Sequence, residues 1–209
     1  MPYALVIFDL DGTLADSFPW FLGVLNTVAR EFKFREVAED DVEPLRHGSV
    51  HDILRKLEVP LWKVPRIAHR MRAMKRADMV RIPLFPGVDT MLGALADAGV
   101  TLAMVSSDNE VNTRDMLGEA NAALISHFAC GASLFGKAAK FKRVMKLAGV
   151  APSATIAIGD EIRDIEAARA AGIACGAVTW GYAAPEALRV RKPDVVFEKM
   201  EEIAAMLAP

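Results

Sequence analysis

The sequence predicts an α/β protein: a doubly wound parallel sheet, interrupted early by a small helical insert. Three observations point there. Short apolar runs alternate with amphipathic stretches of about ten residues, the signature of parallel βαβ units. Residues 17–83 break that rhythm with helical periods and no strand pattern. Acidic residues sit where several of the apolar runs end, the position at which open parallel sheets carry their ligands.

The first run, "YALVIFD", is rich in β-branched and aromatic residues and reads as a central strand buried on both faces. "VTLAMVSS" (100–107), "ATIAIGD" (154–160), "ACGAVTW" (174–180) and "DVVF" (194–197) repeat the pattern. Between them, "GVDTMLGALADAG" places Val88, Met91, Leu92 and Leu95 on one helical face and stops at Gly99. "EVNTRDMLGEA", "KFKRVMKLAG" and "RDIEAARAAG" behave alike, the last two also ending at glycine. Pro83, Pro86 and Gly87 in "IPLFPGV" mark the return to the strand-rich pattern. The expected organisation is an α/β core of residues 1–16 and 84–209 with a helical domain, 17–83, inserted after its first strand.

The bulk numbers narrow the function classes. At 209 residues, 53% of them hydrophobic, the chain can bury a sizeable core. A formal charge of −2 gives no reason to expect nucleic acid as a partner. No apolar run reaches the roughly 18 residues of a membrane span, and no basic region precedes an apolar leader. Cys130 and Cys175 lack C-x-x-C spacing and read as reduced core residues of a cytoplasmic protein.

At the strand ends lie Asp9 and Asp11, then Ser106 and Ser107, then Gly159, Asp160, Glu161 and Asp164. Carboxylates converging on one sheet edge repel one another, and a hard divalent cation relieves the repulsion; oxygen-only ligands suit Mg²⁺. Taken singly, "DLDG" is also a turn after a strand, and "GDEIRD" a helix N-cap. Together, at the ends of separate strands, they read as one site. Rival motifs fail on particular residues. An EF-hand counted from Asp9 needs Gly sixth and Glu twelfth, where Leu14 and Trp20 stand. "GASLFGKA" fits a P-loop from Gly131 to Lys137, but Ala138 replaces the hydroxyl that would meet Mg²⁺. His47 and His51 have zinc-helix spacing without the Glu of H-E-x-x-H or a third ligand in view, and read as exposed. The basic run Arg66, Arg70, Arg72, Lys75, Arg76 and Arg81 reads as the solvated face of an amphipathic helix whose apolar stripe is Ile67, Met71 and Met74.

With these residues in hand, the chain resembles the haloacid dehalogenase-like hydrolases. "DLDGTLADS" is similar to their first motif, "MVSSDN" to the second, Lys137 in "LFGKAAK" to the third and "IGDEIRD" to the fourth. The early insert resembles the small helical cap of the phosphoglycolate phosphatase-like branch, and "VTWGY" is similar to sequences there. The resemblance spans nearly the whole chain and implies a Rossmann-like core. It also implies that Asp9 is a nucleophile forming an aspartyl phosphate, and that Asp11 protonates the leaving alkoxide and then deprotonates water. Mg²⁺ would be held by Asp9, the backbone carbonyl of Asp11, and Asp160, with Asp164 in support. Ser106 and Lys137 would hold the phosphoryl oxygens, with Lys140 a rival to Lys137 that the spacing back from Asp160 disfavours. Gly12 would let its N–H approach the phosphate. Dehalogenases lack the second aspartate, so Asp11 points to phosphoryl transfer.

The expected activity is an Mg²⁺-dependent phosphatase acting on a small phosphorylated metabolite of phosphoglycolate or sugar-phosphate type, as a monomer or homodimer without nucleic-acid or membrane partners. Gly12, Ser107, Arg46 and His47 are the candidate substrate contacts, the last two, in "LRHGS", reaching for the organic portion. A phosphomutase of the same family, or a catalytically idle member binding a phosphorylated ligand or a protein, are the alternatives.

Overall fold

The computed structural model describes residues 3–131 and 136–208. Its centre is one six-stranded sheet in the order β3-β2-β1-β4-β5-β6, with every pairing parallel. The strands are β1 (Leu5–Phe8), β2 (Thr101–Met104), β3 (His127–Phe128), β4 (Thr155–Gly159), β5 (Ala174–Val178) and β6 (Val195–Phe197). The helices are α1 (Phe18–Phe32), α2 (Glu39–Arg46), α3 (Val50–Lys56), α4 (Val64–Asp78), α5 (Val88–Asp97), α6 (Glu110–Leu124, kinked at Gly118), α7 (Lys137–Ala148), α8 (Ile162–Ala171), α9 (Pro185–Val190) and α10 (Met200–Leu207).

β1 is central because all four of its residues are apolar and can be buried on both faces. Successive side chains point to opposite faces, and the packing divides accordingly. Val6 and Phe8 join one core with Leu92 and Leu95 of α5, Leu117 of α6 and Ile203 of α10. Leu5 and Ile7 join the other with Phe141 and Val144 of α7 and Ile165 and Ala168 of α8. The sheet is thus covered on both sides. The four further strands expected from the apolar runs, β2, β4, β5 and β6, are where those runs placed them. β3 had no forecast: a two-residue edge strand is too short to show a period.

The register decides where the chemistry lies. Phe8 is level with Met104 of β2 and Ile158 of β4, and β4 runs only one residue further, so the three strands end at one edge. Residues one or two past those ends (Asp9, Ser106 and Asp160) therefore share one edge.

Everything between β1 and α5 is helical or irregular among the described residues, as expected of the insert. Its helices pack on their own small core of Val37, Leu57, Val59 and Val64. Trp20 Nε1 donates to Asp78 Oδ2 at 3.0 Å, joining the start of α1 to the end of α4. The chain leaves and re-enters the core side by side: Asp16 N–H donates to the Pro83 carbonyl and Phe85 N–H to the Leu14 carbonyl.

Candidate active site

The loop after β1 carries the first carboxylates. Asp9, 3% exposed, accepts the Leu10 N–H at 2.8 Å and the Lys137 ammonium at 2.5 Å. Burial, reinforced by the Asp164 charge, raises its carboxyl above the ordinary range against the pull of Lys137. Gly12 follows with φ +72°, and a Cβ there would stand 2.2 Å from Asp160 Oδ2. Only glycine fits that left-handed turn and that close approach.

The loop after β4 closes over the same point. Asp160 is fully buried, accepting from Thr13 Oγ1 and from the Tyr182 N–H, both at 2.8 Å. Burial pushes its carboxyl well above the usual range, and the charges of Glu161, Asp164 and Asp9 push in the same direction. Asp164 caps the α8 N-terminus, accepting the Glu161 N–H at 2.9 Å, and also accepts from Lys137. Burial would raise its carboxyl, but Lys137 and Arg163 outweigh that and hold it below the ordinary value. Gly159 and Gly181 leave room for these side chains; a Cβ on either would lie 2.3 Å from Asp164 or Asp160 atoms respectively.

Carboxylate oxygens of Asp9, Asp160 and Asp164 lie within 4.8 Å of one another, all buried. With Glu161, four carboxylates gather around the Lys137 and Arg163 cations. A surplus of buried negative charge on oxygen-only donors fits a hard divalent cation. Burial would depress the Lys137 ammonium, yet Asp164 and Asp9 hold it above the ordinary lysine value.

The remaining sequence candidates divide. Ser106 is fully buried, its Oγ accepting the Asp108 N–H at 3.0 Å, and Ser107 offers its carbonyl to Arg72 at 3.4 Å. Lys140, the rival to Lys137, turns away and donates to the Ala129 and Cys130 carbonyls. Residues 132–135 of the P-loop-like stretch lie outside the described residues. Arg46 binds the Tyr182 and Gly181 carbonyls at 3.0 and 3.1 Å, fastening α2 to the core beside the site. His47 is not brought to the carboxylates: it is exposed, 3.5 Å from Glu43, and lines a separate crevice with Glu186 and Arg191. It caps the C-terminus of α2, one residue past Arg46, and so points elsewhere.

The basic run is the clearest departure from expectation. Lys75 is 4% exposed, not solvated. Its ammonium donates to both Asp11 oxygens, at 2.6 and 2.8 Å, and lies 3.0 Å from Asp108 Oδ2. Arg70 and Arg76 also pair, with Glu31 and Asp115. Burial alone would raise the Asp11 carboxyl, but the Lys75 charge holds it below the ordinary range. The residues missed from sequence are therefore Lys75, Asp108, Thr13 and Arg163. Lys75 had a signal: Val64, Ala68, Met71 and Lys75 follow one another at helical spacing, so the lysine continues an inward stripe.

Residues 6–178 match the family described as haloacid dehalogenase-like hydrolase. The chain belongs to the haloacid dehalogenase-like hydrolases. Within them it is phosphoglycolate phosphatase-like. It is 31% identical over 199 residues to the phosphoglycolate phosphatase of Synechococcus elongatus, covering 95% of this chain and 94% of that protein. It is 29% identical over 216 residues to the phosphoglycolate phosphatase of Agrobacterium fabrum, covering 97% and 91%. Its fold matches a haloacid dehalogenase-like family hydrolase from Streptococcus pneumoniae with TM-score 0.79 at 21% identity, over 97% of both chains.

Proposed function

We propose that this hydrolase is an Mg²⁺-dependent phosphatase that cleaves a small phosphomonoester through an aspartyl phosphate on Asp9. The observation that carries the reading is the convergence of Asp9, Asp160 and Asp164, with Lys137 bridging Asp9 and Asp164. Names of the relatives, all phosphatases of a phosphomonoester, support it.

In this reading Asp9 attacks phosphorus, and Lys137 with buried Ser106 takes the phosphoryl oxygens as charge develops on them. Asp9, Asp160 and the backbone carbonyl of Asp11, supported by Asp164, would hold Mg²⁺, which when bound neutralises charge between the phosphate and the carboxylates. Gly12 admits its N–H to the phosphoryl group because nothing projects from its Cα. Asp11 gives a proton to the leaving alcohol oxygen and recovers one from the water that opens the intermediate. Paired with Lys75, Asp11 is in its ionised, proton-accepting form, suited to the second of those steps. The insert, residues 17–83, acts as a cap over the site. Free cysteines, Cys130 and Cys175, accord with a cytoplasmic setting, and among the described residues no helix is long and apolar enough to cross a membrane.

The test is phosphate release from a phosphomonoester panel with and without Mg²⁺. Wild-type protein is expected to turn over at least one ester only with the metal, and Asp9→Asn to lose on the order of 10³-fold or more while remaining folded. Undiminished release by Asp9→Asn would refute the nucleophile.

A further inference from the structure

A cavity of about 770 Å³ opens at the sheet edge beside Asp11 and runs up into the helical insert. Far from the sheet its walls are hydrocarbon, with Leu25 of α1, Ile53 of α3 and Ile67 of α4 facing it. Four cations line it, Arg46, Arg72, Lys75 and Arg163, all where the insert meets the core. Three of them already have a carboxylate. Lys75 is held by Asp11 and Asp108, Arg46 by Glu43, and Arg163 by Glu161.

Arg72 is different. Its guanidinium makes one hydrogen bond, from Nη1 to the Ser107 carbonyl, and at 3.4 Å that bond is longer than the usual range. Among the described residues it enters no ion pair. The side chain is half-buried, so it has lost part of its water for a single long contact. Lys75 stands three residues on along the same helix face, which sets two like charges side by side. Carboxylates answer the lysine and leave the arginine with a charge to be matched.

The position of Arg72 ties it to the reacting atoms. Ala68, Met71, Arg72 and Lys75 follow one another at helical spacing, on the face of α4 that lines the cavity. Arg72 thus lies about 4.5 Å of helix rise from the lysine that grips Asp11. Its contact on the core side, Ser107, adjoins buried Ser106. Asp11 serves the leaving oxygen in the phosphatase reading, so Arg72 faces whatever that oxygen carries. A leaving group with one or two carbons between its oxygen and an anionic end spans the separation. A carboxylate suits the fork of the guanidinium, whose paired donors match its two oxygens. The hydrocarbon beyond lowers the local dielectric and strengthens such a pair. A sugar, reaching further, would set hydroxyls against Leu25, Ile53 and Ile67, which offer them no partner.

We infer that Arg72 is the specificity-determining residue: it binds a carboxylate on the leaving group and so selects phosphomonoesters of short hydroxy acids over neutral alcohols of the same length. The inference rests on the phosphatase reading above and goes beyond it by assigning the side chain that reads the substrate. Arg72 takes no part in the bond changes at phosphorus.

The deciding measurement is the ratio of kcat/KM for phosphate release, with Mg²⁺, from phosphoglycolate and from ethyl phosphate, which has the same carbon count and no carboxylate. Taken within one protein, the ratio cancels any loss of folding or metal affinity common to both esters. The wild type is expected to favour phosphoglycolate by at least about tenfold, and Arg72→Gln to cut that ratio by at least about tenfold. A smaller effect on either count overturns the assignment; a preference that survives in Arg72→Gln passes the role to Arg163, whose buried Nε has no partner. Should Arg72→Gln not fold, Arg72→Lys decides in its place. Lysine keeps the charge without the fork, and the ratio is expected to drop by at least about threefold, a smaller drop overturning the assignment. Release from ethyl phosphate without a preference for phosphoglycolate overturns the role of Arg72 and leaves the phosphatase standing. No release from either ester by the wild type overturns both.

Discussion

Gly12 shows how little freedom single residues have at this site. Its φ of +72° and the 2.2 Å that would separate a Cβ from Asp160 Oδ2 are independent reasons for glycine. Gly12→Ala is expected to cost about 1–3 kcal/mol in thermal or denaturant unfolding and to lose Mg²⁺-dependent turnover, since the displaced carboxylate is a proposed metal ligand. Retained Mg²⁺ response in a folded Gly12→Ala protein would show that Asp160 can shift without consequence. Asp11 is the other informative residue. Sequence read it as an acid beside a nucleophile, and its acid role requires the proton that Lys75 discourages. The lysine comes from a helix more than 60 positions away.

At the scale of elements, α4 is what joins the insert electrostatically to the sheet. Lys75 is held between Asp11 and Asp108; burial would lower its ammonium, and these two charges hold it above the ordinary lysine value. Removing one partner of a buried pair leaves a charge uncompensated. Lys75→Met is expected to destabilise by about 3–5 kcal/mol. Adding Asp108→Asn should recover part of that loss, because Asp108 is then neutral and still hydrogen-bonds Asn112. Purely additive losses in the double variant would show that the two do not interact. The strands were legible from sequence because β1, β2, β4 and β5 are continuous apolar runs buried on both faces. β3 was not, since two residues carry no pattern, and the inward turn of Lys75 was hidden among basic neighbours on the same helix.

For the whole molecule, metal and protons compete for the same carboxylates. The Asp160 carboxyl is raised by burial first and then by Glu161, Asp164 and Asp9. The folded metal-free protein thus keeps a proton that the unfolded chain gives up near pH 4, and Asp9 shifts the same way. Stability without metal should therefore fall as pH rises from about 4 through the raised values. Asp11 and Asp164, held low, act oppositely, but their contribution is lost only as pH drops below about 4, outside that window. Mg²⁺ at about 100 times its Kd should add about 2.7 kcal/mol at neutral pH, and less at pH 5, where Asp160 retains more of its proton. Melting curves with and without Mg²⁺ at the two pH values check this; an increment that grows toward acid would contradict it.

By itself the sequence determined the sheet, the order of its strands' chemical endings, and the family, because apolar runs and short motifs are local and survive without neighbours. Only the tertiary structure decided which lysine meets the carboxylates, Lys137 and not Lys140, and that Lys75 reaches Asp11. It also decided that the cavity beside Asp11 runs on from charged residues at the sheet edge into the apolar interior of the insert. Those outcomes depend on side chains far apart along the chain meeting across the junction of insert and core; the spacing within α4 turns Lys75 inward but does not name the carboxylates it meets.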